Sequence, residues 1–166
     1  MWKPMWTTNN KRPKNLHLTP EQAKEKALSL LDRRAYSRKG LFDKLKLCAD
    51  IDVVNEVLDL LEEVGMVDDE NYAYQYAHDA MELKMLGPVR VKRELLQRGI
   101  APETAENAIS TAEEEIGPPE KRLEELIELK YKNMLFDEKN RAKVVNSLFR
   151  LGYEYDMIKE TLYKIE

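Results

Sequence analysis

The stretch from Asp68 to Ile100, DDENYAYQYAHDAMELKMLGPVRVKRELLQRGI, decides the fold. Asp68, Asp69 and Glu70 put acids where a helix begins and offset the positive end of its dipole. Tyr72, Ala73, Tyr76, Ala77, Ala80 and Met81 then form a broad apolar stripe at helical period. Gly87-Pro88 ends this helix and starts another, since Pro lacks an N–H and suits a first helical turn. Val91, Leu95 and Leu96 give the second helix its face and Gly99 stops it. Pro102 and Glu103 open a third, with Ala105, Ala108, Ile109 and Ala112 on one side. The spacing predicts a three-helix unit.

Both flanks repeat the pattern. Thr19-Pro20-Glu21-Gln22 is a helix start with Thr as N-cap and Gln at the third position. A second helix is expected from Ser37, with Leu41, Leu45 and Cys48 inward, and a third from about Asp52 to Gly65. Beyond Gly117-Pro118-Pro119, Leu123, Leu126 and Ile127 define a helix to about Tyr131. Val144, Leu148 and Leu151 define one capped by Asp137 and ended by Gly152, and Ile158, Leu162 and Ile165 define the last. Leu41 and Leu45 recur 50 positions later as Val91 and Leu95. Val91, Leu95, Gly99 and Ile100 recur 53 positions later as Val144, Leu148, Gly152 and Tyr153. The expected fold is all-α, three tandem three-helix repeats in an elongated, curved array, with a basic flexible tail at 1–18 and repeats at 19–66, 67–116 and 117–166.

With 43% hydrophobic and 35% charged residues over 166 positions, the chain can bury a core, and six Gly and seven Pro leave little for long loops. The single cysteine excludes an internal disulfide and suits a reducing compartment; with no apolar run fit for a signal or a membrane span, the cytoplasm is the expected location. Residues 68–116 carry five basic and eleven acidic side chains, whereas residues 1–36 carry eight and three. A protein that coats DNA is expected to show a basic surplus, and only the N-terminal end does.

No chemistry-bearing constellation stands out. Asp68-Asp69 reads as helix capping rather than a metal or proton-sharing pair. His17 and His78 stand alone, Cys48 reads as a small buried hydrophobe, and Tyr72/Tyr76 read as core packing rather than a base-stacking platform. No nucleotide loop or zinc pair is present, so no catalytic residue, metal, cofactor or small-molecule substrate is expected. What remains is a surface. Arg90, Lys92, Arg93 and Arg98 lie on or beside the middle unit's second helix, and Arg141, Lys143 and Arg150 on its counterpart. They are the candidate binding face, with a solvated polar helix as the alternative.

At its repeated marks the sequence resembles the RecX family, regulators of the bacterial recombinase RecA. The family's R-x-x-S-x-x-E-L-x-x-K-L is met by Arg34, Ser37, Leu41, Lys44 and Leu45, and its G-Y-L-D-D-x-x-[FY]-A by Gly65, Asp68, Asp69, Tyr72 and Ala73. Its G-x-x-x-I-x-x-E-L-x-x-[KR]-G-I is met by Gly87, Val91, Glu94, Leu95, Arg98, Gly99 and Ile100, and its final R-G-Y by Arg150, Gly152 and Tyr153. Two positions depart. Gly40 replaces the family's glutamate, removing the capping box and leaving that helix start expected to fray or adjust, and Leu47-Cys48-Ala49 stands where a Lys-Gly turn is usual. The resemblance implies a non-enzymatic protein that binds along the groove of the RecA filament on single-stranded DNA and suppresses ATP hydrolysis, strand exchange and co-protease activity. Direct DNA contact is then secondary; the alternative is a helical repeat protein that acts by occupying DNA.

Overall fold

A computed structural model describes residues 17–135 and 137–165. The chain runs through α1 (Pro20–Leu31), α2 (Arg38–Leu45), α3 (Ile51–Glu63), α4 (Asp69–Glu82), α5 (Pro88–Gln97), α6 (Pro102–Ile116), α7 (Pro119–Leu126), α8 (Glu138–Leu151) and α9 (Tyr155–Ile165). A π turn, Ile127–Tyr131, and a 3-10 turn, Lys132–Met134, continue α7 towards α8. The tail expected at 1–18 lies, up to residue 16, outside the described residues.

Each set of three helices closes on its own core. Ala23, Ala27, Leu41, Leu45, Val54, Val57, Leu58 and Leu61 make the first. The second is built from the small residues of α4 (Ala73, Ala77, Ala80) against Ala105, Ala108 and Ala112 of α6, with Met81, Val91 and Leu95 filling the space that remains. Alanines on both sides let α4 and α6 approach closely. Leu123, Leu126, Ile127, Val144, Leu148, Tyr153, Ile158 and Leu162 make the third. Cys48 is half-buried rather than inward: its thiol donates to the Leu45 carbonyl at 3.3 Å, with the Lys26 ammonium 3.1 Å away.

The units stand in file through one kind of joint, used twice. The start of a second helix docks on the glycine turn that ends the second helix of the next unit. At the first joint the Ser37 hydroxyl donates to the Arg98 carbonyl at 2.7 Å, and Lys39 lies against Gly99. At the second, the Gly87 N–H donates to the Leu151 carbonyl at 2.8 Å, and Arg90 lies against Gly152. Gly99 and Gly152 have φ of 82° and 97°, which L side chains rarely adopt, and a Cβ on either would fall 2.4 or 2.3 Å from the neighbouring side chain's Cβ. The turn therefore needs glycine twice over, for its backbone and for its neighbour.

The Leu47-Cys48-Ala49 turn of the first unit is closed differently. The Cys48 carbonyl, 50 positions before that of Arg98, accepts instead from the Leu18 N–H at 2.9 Å. The incoming chain satisfies the carbonyl that elsewhere takes the joint, so no glycine is required there.

The start of α2 is adjusted rather than frayed. The Ser37 side chain still accepts from the Gly40 N–H at 3.1 Å, and a carboxylate from across the joint, Asp69, accepts from the N–H of Arg38, the first helical residue, at 2.7 Å. Asp68 and Asp69 thus divide the work: Asp68 caps α4 through the Asn71 N–H at 2.9 Å and Asp69 caps α2.

Two carboxylates around α2 are moved in opposite directions. Burial pushes the Asp69 carboxyl above its ordinary 3.8, the Arg38 N–H and guanidinium offsetting this only in part. The Asp43 carboxyl is held down at about 2 by hydrogen bonds from Lys46 and Lys39. A raised carboxyl favours folding when protonated, so Asp69's contribution falls as pH rises through its folded value. Asp43's contribution is present above 3.8 and is lost as pH falls towards 2. In a carboxyl NMR titration towards low pH Asp69 should take up its proton before Asp43; the reverse order would contradict the burial of Asp69 at the joint.

Candidate interaction surface

The seven candidate cations do not form one face. Arg90 and Arg98 turn into the middle unit around Glu94: Arg90 Nε donates to Glu94 Oε1 at 2.9 Å, Arg98 lies within 3.9 Å of Glu94 Oε2, and the Tyr76 hydroxyl also donates to that oxygen. Burial works against the Glu94 charge, but the Tyr76 and Arg90 hydrogen bonds and the two guanidinium charges hold its carboxyl below the usual range. Tyr76 is pushed up to about 12 by burial and by this bond. Arg90 also donates to the Arg150 carbonyl at 3.4 Å, so Arg90 and the Arg150 backbone belong to the second joint.

The others point outward. Lys92 pairs with Glu106 of α6, and Arg93 is exposed with no ion-pair partner among the described residues. Arg141 is half-buried on α8; Lys143 is exposed and donates to Asn140 Oδ1 at 3.2 Å; the Arg150 side chain is exposed and folds back on the Asn146 carbonyl at 3.2 Å. Exposed Val89 and Leu96 on α5 and Phe149 on α8 lie among them. The family-motif residues have structural places: Leu41, Leu45 and Leu95 in cores, Ser37, Gly87, Gly99 and Gly152 in joints. Tyr153 is buried, and its hydroxyl donates to the Met85 carbonyl across the second joint at 3.1 Å.

A second surface was not legible as a unit. Beside the first joint lies a groove of 610 Å³ whose walls come from three distant stretches: the turn Arg34–Gly40 with Lys44, the α4 face of Tyr72, Tyr76 and Asp79, and Gln97-Arg98. Tyr72 and Tyr76 are therefore not simply core: both are half-buried, they stack with ring centroids 6.4 Å apart, and they line this groove. The Arg98 guanidinium covers the Tyr76 ring at 4.1 Å and that of Arg34 covers Tyr36 at 4.5 Å. Four cations (Arg34, Lys39, Lys44, Arg98) face two carboxylates (Asp43, Asp79).

Neither histidine is isolated. His17 Nδ1 lies 2.9 Å from Asp50, and His78 sits 3.4 Å from Glu82 and 3.8 Å from Glu115. No group of three or more His, Cys, Asp or Glu placed to hold a metal occurs among the described residues, and no helix among them is long and apolar enough to cross a membrane.

Comparison with known proteins agrees with this architecture. Residues 23–61 match the family model described as RecX, first three-helix domain, and residues 68–109 the one described as RecX, second three-helix domain. Regulatory protein RecX of Thermotoga petrophila is 34% identical over 162 residues, covering 97% of this chain and 94% of that protein. Regulatory protein RecX of Clostridium botulinum, strain Eklund 17B, is 29% identical over 146 residues, 85% of this chain and 67% of that protein. The crystal structure of RecX from Lactobacillus salivarius superposes with a TM-score of 0.75 at 25% identity, covering 87% of this chain and 95% of that one. The chain, with three helical units joined at Gly99 and Gly152, thus belongs to the RecX family of regulatory proteins.

Proposed function

We propose that this protein binds the RecA filament assembled on single-stranded DNA and restrains its ATP hydrolysis, strand exchange and co-protease activity, acting as a protein partner in the cytoplasm rather than as an enzyme. The supporting observation is the repeated joint. Two copies of one contact hold the units, taken as 19–66, 67–116 and 117–166, at fixed offsets, so their outward faces recur along the body as a filament's subunits recur along its axis. Several modest contacts made together favour assembled filament over single subunits. Residues 68–116 carry eleven acids against five bases, which disfavours a mode of action that begins by coating DNA.

The test is the single-strand-dependent ATPase of RecA with this protein titrated in substoichiometrically, beside its binding to the same DNA without RecA. Inhibition well below one protein per RecA with negligible binding to bare DNA is expected. Tight, salt-sensitive DNA binding with no effect on RecA would reverse the reading in favour of DNA occupancy.

Among the candidate contacts, Arg93 and Lys143 are the ones to change, because they are exposed and make no ion pair among the described residues. Replacing both with Glu should raise the concentration needed for half inhibition by about tenfold, as two reversed contacts would. Stability should move by no more than about 0.5 kcal/mol, as at other surface positions. Unchanged inhibition would remove this face from the contact.

A further inference from the structure

The groove at the first joint gathers motif residues to which neither capping nor packing gives a complete role. Arg34 and Lys44 are exposed and make no ion pair among the described residues. Arg34 keeps its guanidinium fork open while its flat face rests on Tyr36. Arg98 is anchored by Tyr76 and by the Glu94 carbonyl, which accepts from its Nη1 at 2.9 Å, so its remaining N–H groups are held in place at the groove wall. An exposed fork, a free ammonium and a second, positioned fork make a set of donors suited to carboxylates.

We propose that this groove seats a short acidic segment of a protein partner, its carboxylates on Arg34 and Lys44 and its chain against the Tyr72 and Tyr76 edges. The proposal rests on the reading that the partner is a protein and adds where and by what chemistry it is held. Two observations favour a peptide over a nucleic-acid strand. The Tyr36 and Tyr76 ring faces that bases would stack on are already covered by Arg34 and Arg98. A strand leaving the groove would also carry a charge at every phosphate past Asp43, Asp79 and the acidic middle unit, whereas a short segment ends before it meets them.

The test titrates hexaglutamate, and separately the hexanucleotide (dT)6, into the 15N-labelled full chain followed by amide NMR. Hexaglutamate should give saturable shifts confined to the amides around Tyr36, Gly40, Lys44 and Arg98, and Arg34→Ala with Lys44→Ala should weaken its binding by about tenfold with the rest of the spectrum unchanged. Shifts spread over the whole basic surface, or the same affinity in the double variant, would overturn the proposal. Tighter binding of (dT)6 than hexaglutamate at the same amides would overturn it in favour of a nucleic-acid site. Neither titration contains RecA, so a failure here leaves the filament reading standing. A failure of the ATPase assay leaves the groove's anion chemistry standing.

Discussion

Gly152→Ala should destabilise the protein by about 3 kcal/mol, the sum of a strained backbone and a blocked contact. A Cβ at this position would lie 2.3 Å from Arg90 Cβ and 2.5 Å from the Arg90 backbone nitrogen, in a residue whose φ of +97° already disfavours any side chain. The start of α5 is backbone and cannot swing aside as a side-chain tip could, so the second joint must part. Gly117→Ala is the control. Its φ is +91°, but nothing among the described residues lies within 4 Å of the added Cβ, so only the conformational penalty of about 1 kcal/mol applies. Urea unfolding of the two variants separates the terms; equal losses would mean that the joint does not depend on the close approach.

Glu113→Ala should cost about 3 kcal/mol, more than Arg122→Met, which should change stability by about 1 kcal/mol or less. Arg122 is 4% exposed, donates to the Gly117 carbonyl, and has Nε and Nη2 without hydrogen-bond partners among the described residues. Glu113 Oε1 stands 3.7 Å from Nη2, close enough to neutralise the charge but not to hydrogen-bond to it, and burial pushes the Glu113 carboxyl up. Removing the glutamate leaves a buried guanidinium with one carbonyl. Removing the arginine leaves a glutamate that is partly exposed and can turn to water. Thermal unfolding at neutral pH ranks the variants, and a larger loss for Arg122→Met would mean that the pair is a net stabiliser rather than a tolerated burial.

These positions differ in how far the sequence disclosed them. Gly99 and Gly152 were marked by their shared register, 53 positions apart, because a turn that admits only glycine leaves that residue in every copy that needs it. The reason, the neighbouring unit's side chain 2.3 to 2.4 Å from the absent Cβ, is tertiary and has no local signature. Helix starts at Thr19, Ser37, Asp68 and Asp137 were legible because their caps act within three residues, and each side chain accepts from its own first turn. Asp69 serving α2 was not, since 31 residues separate it from Arg38.

The candidate surface was legible only as a list of cations on helices. Periodicity placed Arg90 and Arg98 on one side of α5 but could not show that Glu94, between them, draws both inward. The first-joint groove joins residues as far apart as Arg34 and Arg98, and its tyrosines are half core and half wall, so a helical stripe described them equally well as packing. Arg122 sits in the charged run PEKRLEEL and reads as surface; its one signal is that it lies four residues before Leu126, on the apolar face.

Cosedimentation with RecA filaments tests the central claim most directly. The protein should pellet with RecA assembled on single-stranded DNA with a non-hydrolysed ATP analogue, and stay in the supernatant with that DNA alone or with unassembled RecA. Pelleting equally with bare DNA, or failing to pellet with filaments, would contradict the account.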